Sequence, residues 1–222
     1  MMTTSMGNII DLTTADPDFK NEVVTEPGGQ HLKNCFQCSS CTLTCPVAEV
    51  PGLELNPRKI IREVLLGLRK DVLESEAIWQ CVGCFECTDR CPQNVRFTEV
   101  IEALRRIAVR SSEKRLLFIP KEKDKNRRIK LSKQGKLKHS FDKRFTESIW
   151  LWGRTWEPEY IGRYLMYGRG LPFGPLVGFR YVSMILGMLK RFKIEFFPPW
   201  VSPARKEVRK IFKIAKNKNK VK

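Results

Sequence analysis

Eight cysteines stand in two runs of one spacing, Cys35 to Pro46 (CFQCSSCTLTCP) and Cys81 to Pro92 (CVGCFECTDRCP), and each run reads C-x2-C-x2-C-x3-C-P. Three thiolates spaced two residues apart wrap one corner of an iron-sulfur cube. The fourth, set off by three residues and turned by the following proline, points toward a different cube, so a second run is required, and one is present. The two runs use every cysteine in the chain. The spacing predicts two [4Fe-4S] clusters with crossed ligation: Cys35, Cys38, Cys41 and Cys91 on the first, and Cys81, Cys84, Cys87 and Cys45 on the second. In this reading all eight are iron ligands and none is catalytic.

Other cysteine chemistries fit less well. Structural zinc takes its ligands as two pairs, whereas each run here carries a third cysteine and a terminal Cys-Pro. Disulfides belong to an oxidising compartment and to small secreted chains. The start, MMTTSMGNIIDLTTADPDF, has neither the basic opening nor the apolar core of a signal peptide. His31, four positions before the first run, and His139, in a basic stretch, read as ordinary surface or core histidines once four thiolates are assigned to each cluster.

The elements that must position these runs read as helices. Asn56 is an N-cap with Pro57 in the first turn, and Ile60, Ile61, Val64, Leu65 and Leu68 then form one apolar face. Asp71 and Glu74 mark the first turn of a short second helix, with Val72, Leu73, Ile78 and Trp79 on its buried side, that runs into Cys81. Phe97, Val100, Ile101, Leu104 and Ile107 or Ala108 mark a third, from near Thr98 to around Arg110. Residues 30–110 show no alternating strand pattern, which predicts a helical two-cluster unit rather than a compact hairpin ferredoxin.

The chain has 222 residues and a formal charge of +17, which invites a nucleic-acid reading. The distribution of charge argues against it. Residues 111–144 hold thirteen Lys/Arg against four Asp/Glu, residues 203–222 nine against one, and the rest balances at nineteen against nineteen. The excess lies in a linker and a tail that are poor in aromatics, and such segments are solvated or dock on a partner. No nucleic-acid partner is expected.

The stretch NPRKIIREVLLGLRKDVLESEAIWQCVGCFECTDRCPQNV, with the upstream CFQCSSCTLTCP, resembles the C subunit of heterodisulfide reductase and of the heterodisulfide-reductase-like complexes of sulfur oxidisers. The resemblance covers roughly residues 31–110 and extends beyond the cysteines to Asn56-Pro57-Arg58, Leu65-Leu66-Gly67-Leu68 and Ile78-Trp79. It implies an α-helical ferredoxin domain with the eight cysteines as cluster ligands. It also implies a role in passing electrons between a flavin- and iron-sulfur-bearing A subunit and a disulfide-handling B subunit. No cysteine remains here for chemistry on a substrate, so that chemistry falls to a partner.

The expected organisation is mainly α. An N-terminal arm over residues 1–30 precedes the ferredoxin domain (31–110), a basic linker (111–144), and an aromatic-rich, irregular or helical C-terminal extension with a basic tail (145–222). Thirteen aromatics fall between Trp150 and Trp200. They suit a satellite pad, a surface docking on a partner protein, or a membrane-surface contact through Leu171 to Leu189. Arg180, Pro172 and Pro175 spoil that last segment as a spanning helix. The expected location is cytoplasmic, with membrane association left open. Sulfur oxidation is favoured over methanogenic heterodisulfide reduction. The competing reading is the iron-sulfur subunit of a quinone-linked respiratory oxidoreductase.

Overall fold

A computed structural model describes residues 12–112, 128–168, 186–187, 190–191, 200 and 202–218. The described residues are mainly helical, with isolated bridge residues at Ser112 and Ile129 and no strand. They divide into two units: residues 12–108 with 129–132, and the described residues of 109–128 and from 133 onward.

In the first unit the helices are α1 (Phe19–Thr25), α2 (Ser40–Leu43), α3 (Pro57–Leu65), α4 (Arg69–Glu74), α5 (Ala77–Gln80), α6 (Glu86–Asp89) and α7 (Phe97–Ser111). The side chain of Asn56 accepts a hydrogen bond from the Lys59 N–H at 3.0 Å, so α3 starts at its expected cap. Ile60, Ile61, Val64 and Leu68 are buried beneath it. On α7, Val100, Ile101, Leu104, Ile107 and Ala108 are all fully buried. These two faces, with Val72, Leu73 and Ile78 between them, make the core.

The helix expected from Asp71 into Cys81 is instead two helices: α4 begins at Arg69, and Ser75 is extended (ψ 146) before α5. Gly67 (φ 82) ends α3 early enough for Leu68 to start the next helix. The Ser75 hydroxyl then accepts the Ala77 N–H at 3.0 Å, which starts α5 afresh. The N-terminal arm also needs correction. Within residues 12–30, Phe19 and Val23 of α1 are fully buried in the same core. Glu22 of α1 pairs with Arg69 of α4 at 3.1 Å, and the Asp16 N–H donates to the Gly67 carbonyl at 2.8 Å. A helix of seven residues with two core contacts is too short for periodicity to reveal.

The second unit contains α8 (Lys133–Trp152), α9 (Glu157–Gly168) and α10 (Arg205–Lys218). Residues 133–144 of the expected basic linker are thus the first turns of a helix that continues past the expected boundary at 145. Phe141 and Phe145 of α8 meet Tyr160 of α9 edge to face, at 5.8 and 5.4 Å between centroids. Arg163 bridges Glu159 and Glu147 at 2.6 and 3.0 Å. Part of the aromatic crowding is therefore internal packing, while Trp200 is 96 % exposed. Most of the Leu171 to Leu189 segment lies outside the described residues. No described helix is long and apolar enough to cross a membrane.

Candidate metal centre

Each cysteine run folds as a loop with two left-handed residues, followed by one turn of helix. In the first, Gln37 (φ 63) and Ser39 (φ 72) lead into α2; in the second, Gly83 (φ 72) and Phe85 (φ 66) lead into α6. The matched pairs occupy the same positions in the two runs, so the sequence repeat is also a repeat of backbone. Left-handed conformations at non-glycine residues are held at a cost of about 1–3 kcal/mol each. Alternation of left- and right-handed residues gathers backbone N–H groups into an anion-accepting concavity, a device of many iron-sulfur sites.

Two pockets result. The first, about 400 Å³ with its mouth, is lined by Cys35, Cys38, Cys41 and Cys91, together with Gln37, Ser40, Arg58, Ile61, Gln93 and Val95. The second, about 300 Å³, is lined by Cys45, Cys81 and Cys84, with Val47, Leu55, Val82 and Thr98. Cys87 and Phe97 line both. Each pocket therefore draws on both runs, three thiols from one and the last cysteine of the other, with Cys87 at the boundary. His31 and His139 line neither. Among the described residues no three His, Cys, Asp or Glu side chains are grouped to hold a single metal ion. Tetrahedral zinc would draw its sulfurs to about 3.8 Å of one another; thiols spread around a pocket wall suit a multi-iron core.

Neighbouring side chains hold this arrangement. Asn56, besides capping α3, accepts from Thr42 Oγ1 at 3.1 Å, and Thr42 Oγ1 accepts the Arg58 N–H at 3.1 Å. Together these tie α2 to α3. Across the second run, Arg105 of α7 donates to the carbonyls of Ile78 and Cys81 at 2.7 and 2.8 Å. Sequence reading missed the site roles of Arg105, Thr98 and Phe97, which sit on a helix whose visible signal was its apolar face.

Donors also reach the sulfurs. Gln37 Nε2 donates to Cys35 Sγ at 3.3 Å, and the Val95 N–H to Cys91 Sγ at 3.4 Å. Ser40 Oγ lies 3.3 Å from Cys38 Sγ, and Thr98 Oγ1 3.6 Å from Cys87 Sγ. The Ser40 hydroxyl holds the Cys38 thiol below its ordinary range. Burial pushes Cys41 up to about 11, and it raises Cys81 and Cys87 as well. One thiol in each pocket, Cys38 and Cys84, is exposed.

Residues 31–95 match the family model of the 4Fe-4S dicluster domain. These residues fold as a dicluster domain and resemble the C subunit of heterodisulfide reductase. The chain is 40 % identical over 107 residues to the iron-sulfur C 2 subunit of a CoB--CoM heterodisulfide reductase of Methanocaldococcus jannaschii, covering 45 % of this chain and 56 % of that protein. It is 41 % identical over 86 residues to a protein of Archaeoglobus profundus described as like the heterodisulfide reductase C subunit, covering 39 % and 45 %. It is 34 % identical over 104 residues to the C subunit of an H(2):CoB-CoM heterodisulfide,ferredoxin reductase of Methanothermobacter thermautotrophicus, covering 47 % and 55 %. The chain thus spans about half the length of the curated relatives it matches. The cofactors of the dicluster domain are two [4Fe-4S] clusters, which the eight thiols gathered in two pockets fit.

Proposed function

We propose that this chain is a non-catalytic electron-transfer subunit of a heterodisulfide-reductase-type complex. The observation that carries the reading is the sorting of eight thiols between two adjacent pockets, each built from both runs. Cys35, Cys38, Cys41 and Cys91 hold one cluster and Cys81, Cys84, Cys87 and Cys45 the other. A [4Fe-4S] cluster takes up and returns one electron with its ligands unchanged. The chain holds two clusters side by side, with Cys87 and the buried Phe97 at their common boundary, and its apolar core keeps bulk water from their inner faces. The outer faces are open. Phe36, Leu43, Val82 and Phe85 are 52–76 % exposed in the two runs that carry the exposed Cys38 and Cys84, as docking surfaces for redox partners require.

The partners in this reading are a flavin- and iron-sulfur-bearing A subunit and a disulfide-handling B subunit, with the aromatic C-terminal region as a further docking surface. Support comes from the relatives, which are named as C subunits of heterodisulfide reductases. Of the two directions of flow we carry the oxidative one, in which electrons leave a reduced sulfur compound. Its support is the length of this chain beyond the matched stretch, which covers 47 % of it in the comparison with the Methanothermobacter thermautotrophicus protein.

The test is anaerobic affinity purification of the full chain from its native cells, with iron counted and co-purifying proteins identified. About eight irons, a flavoprotein and a cysteine-rich partner are expected, and the Cys84→Ser variant should lose one cluster. Recovery with quinone-linked membrane proteins would overturn the reading in favour of a respiratory complex. Full iron and full electron flow in Cys84→Ser would remove Cys84 from the ligands.

A further inference from the structure

The two cysteine runs repeat one backbone, so the side chains that differ between them form an internal comparison. Gln37 and Gly83 hold the same position, before the second cysteine of each run, with φ of 63 and 72. Gln37 donates to Cys35 Sγ through its side chain, whereas Gly83 reaches Cys81 only through its backbone N–H. Ser40 and Glu86 hold the first position of α2 and α6. The Ser40 hydroxyl lies against Cys38 Sγ, whereas Glu86 brings a negative charge to its run.

The third exchange is the largest. Arg58 and Thr98 are each the second residue of the helix that follows a run, and each lines its pocket. Arg58 donates to Ser39 Oγ at 2.6 Å, and among the described residues no carboxylate pairs with it. Thr98 is neutral. Arg105, on the second side, acts on Cys81 through its charge, but it is already paired with Glu102 at 2.7 Å and turns its remaining donors to backbone carbonyls.

Hydrogen bonds to sulfur and nearby positive charge stabilise the reduced, more negative state of a cluster. The differences in charge, Arg58 against Thr98 and Ser40 against Glu86, favour the same pocket, and the one hydroxyl that Thr98 brings to Cys87 Sγ offsets them only in part. We infer that the pocket of Cys35, Cys38, Cys41 and Cys91 is the higher-potential seat, set by Arg58, Gln37 and Ser40. This rests on the two-cluster reading proposed above. Between the pockets one electron moves, the second cluster being oxidised and the first reduced, with no bond broken and no proton moved. The chain then has a polarity: electrons enter at the Cys84 rim and leave at the Cys38 rim.

The experiment is a reductive titration of the purified full chain with dithionite and mediators, followed by electron paramagnetic resonance, on the wild type and on Arg58→Thr, Arg58→Lys and Glu86→Ser. Two separated one-electron transitions are expected. Because Arg58 is exposed and screened, Arg58→Thr should lower the reduced-to-oxidised ratio of the first-reduced signal about threefold to tenfold at fixed potential, tenfold being about 59 mV for one electron. Arg58→Lys should keep that signal near its wild-type position, and Glu86→Ser should raise the other one. Movement of the later signal in Arg58→Thr would overturn the inference, as would no movement in either charge variant, or coincident transitions in the wild type. A wild-type chain carrying about four irons would instead bring down the two-cluster reading itself.

Discussion

The guanidinium of Arg105 holds the carbonyl of Cys81 at 2.8 Å and that of Ile78 at 2.7 Å, reaching back 24 and 27 residues to the segment that enters the second run. The same group stacks over Trp79, 5.8 Å from the ring centroid. Replacing it strands two partly buried acceptors and frees the chain just ahead of the first ligand. Arg105→Met should therefore destabilise the protein by about 2 kcal/mol and lower the iron content of the second pocket before that of the first. Thermal unfolding and iron counts test this, and equal loss from both pockets would contradict it.

Asn56 performs two tasks with one oxygen, capping α3 and accepting from Thr42 of α2. Asn56→Ala should cost about 1 kcal/mol from the cap and loosen the Cys41 turn. Asn56→Asp keeps both acceptor roles and should recover most of the stability. If the Asp variant were as weak as the Ala variant, the acceptor account would fail.

The cluster runs, the α3 and α7 faces and the Asn56 cap were legible in the sequence because each is a local pattern: fixed cysteine spacing, apolar residues at helical period, a capping residue before proline. What stayed hidden depends on contacts distant in sequence. Arg105 looked like one charge among several on a helix, and its role appears only when α7 folds against Ile78 and Cys81. The α4–α5 break rests on Ser75 leaving the helical region, a choice that no residue type there forces. The basic stretch read as a linker because charge outweighed periodicity, yet residues 133–144 form a helix through partners such as Tyr160 that lie beyond it.

The N-terminal segment is the clearest case of a hidden core element, and it gives a direct test. Phe19 is fully buried, with the Arg69 guanidinium 5.9 Å from its ring centroid. Phe19→Ala should destabilise the cluster-bearing unit by about 3–5 kcal/mol, measured by denaturant unfolding. A free arm would show no change, and that result would return residues 12–30 to the status of an appendage.

The raised thiols predict how the cluster-free chain responds to pH. Burial lifts Cys41 from its ordinary 9.0 to about 11, against an opposing hydrogen bond from Thr42. The folded chain thus binds this proton more tightly than the unfolded chain does. The stability it contributes is complete below pH 9 and is lost as pH rises toward 11. Under reductant, the melting temperature of the cluster-free protein should fall across that window, and Cys41→Ser should flatten the fall. Cys38, held low by Ser40, acts in the opposite sense. Loading clusters converts thiols to thiolates and releases protons, so the loaded protein should lose this dependence on Cys41. A cluster-free Cys41→Ser chain that melts along the wild-type curve from pH 9 to 11 would show that the buried thiol is not the group responsible.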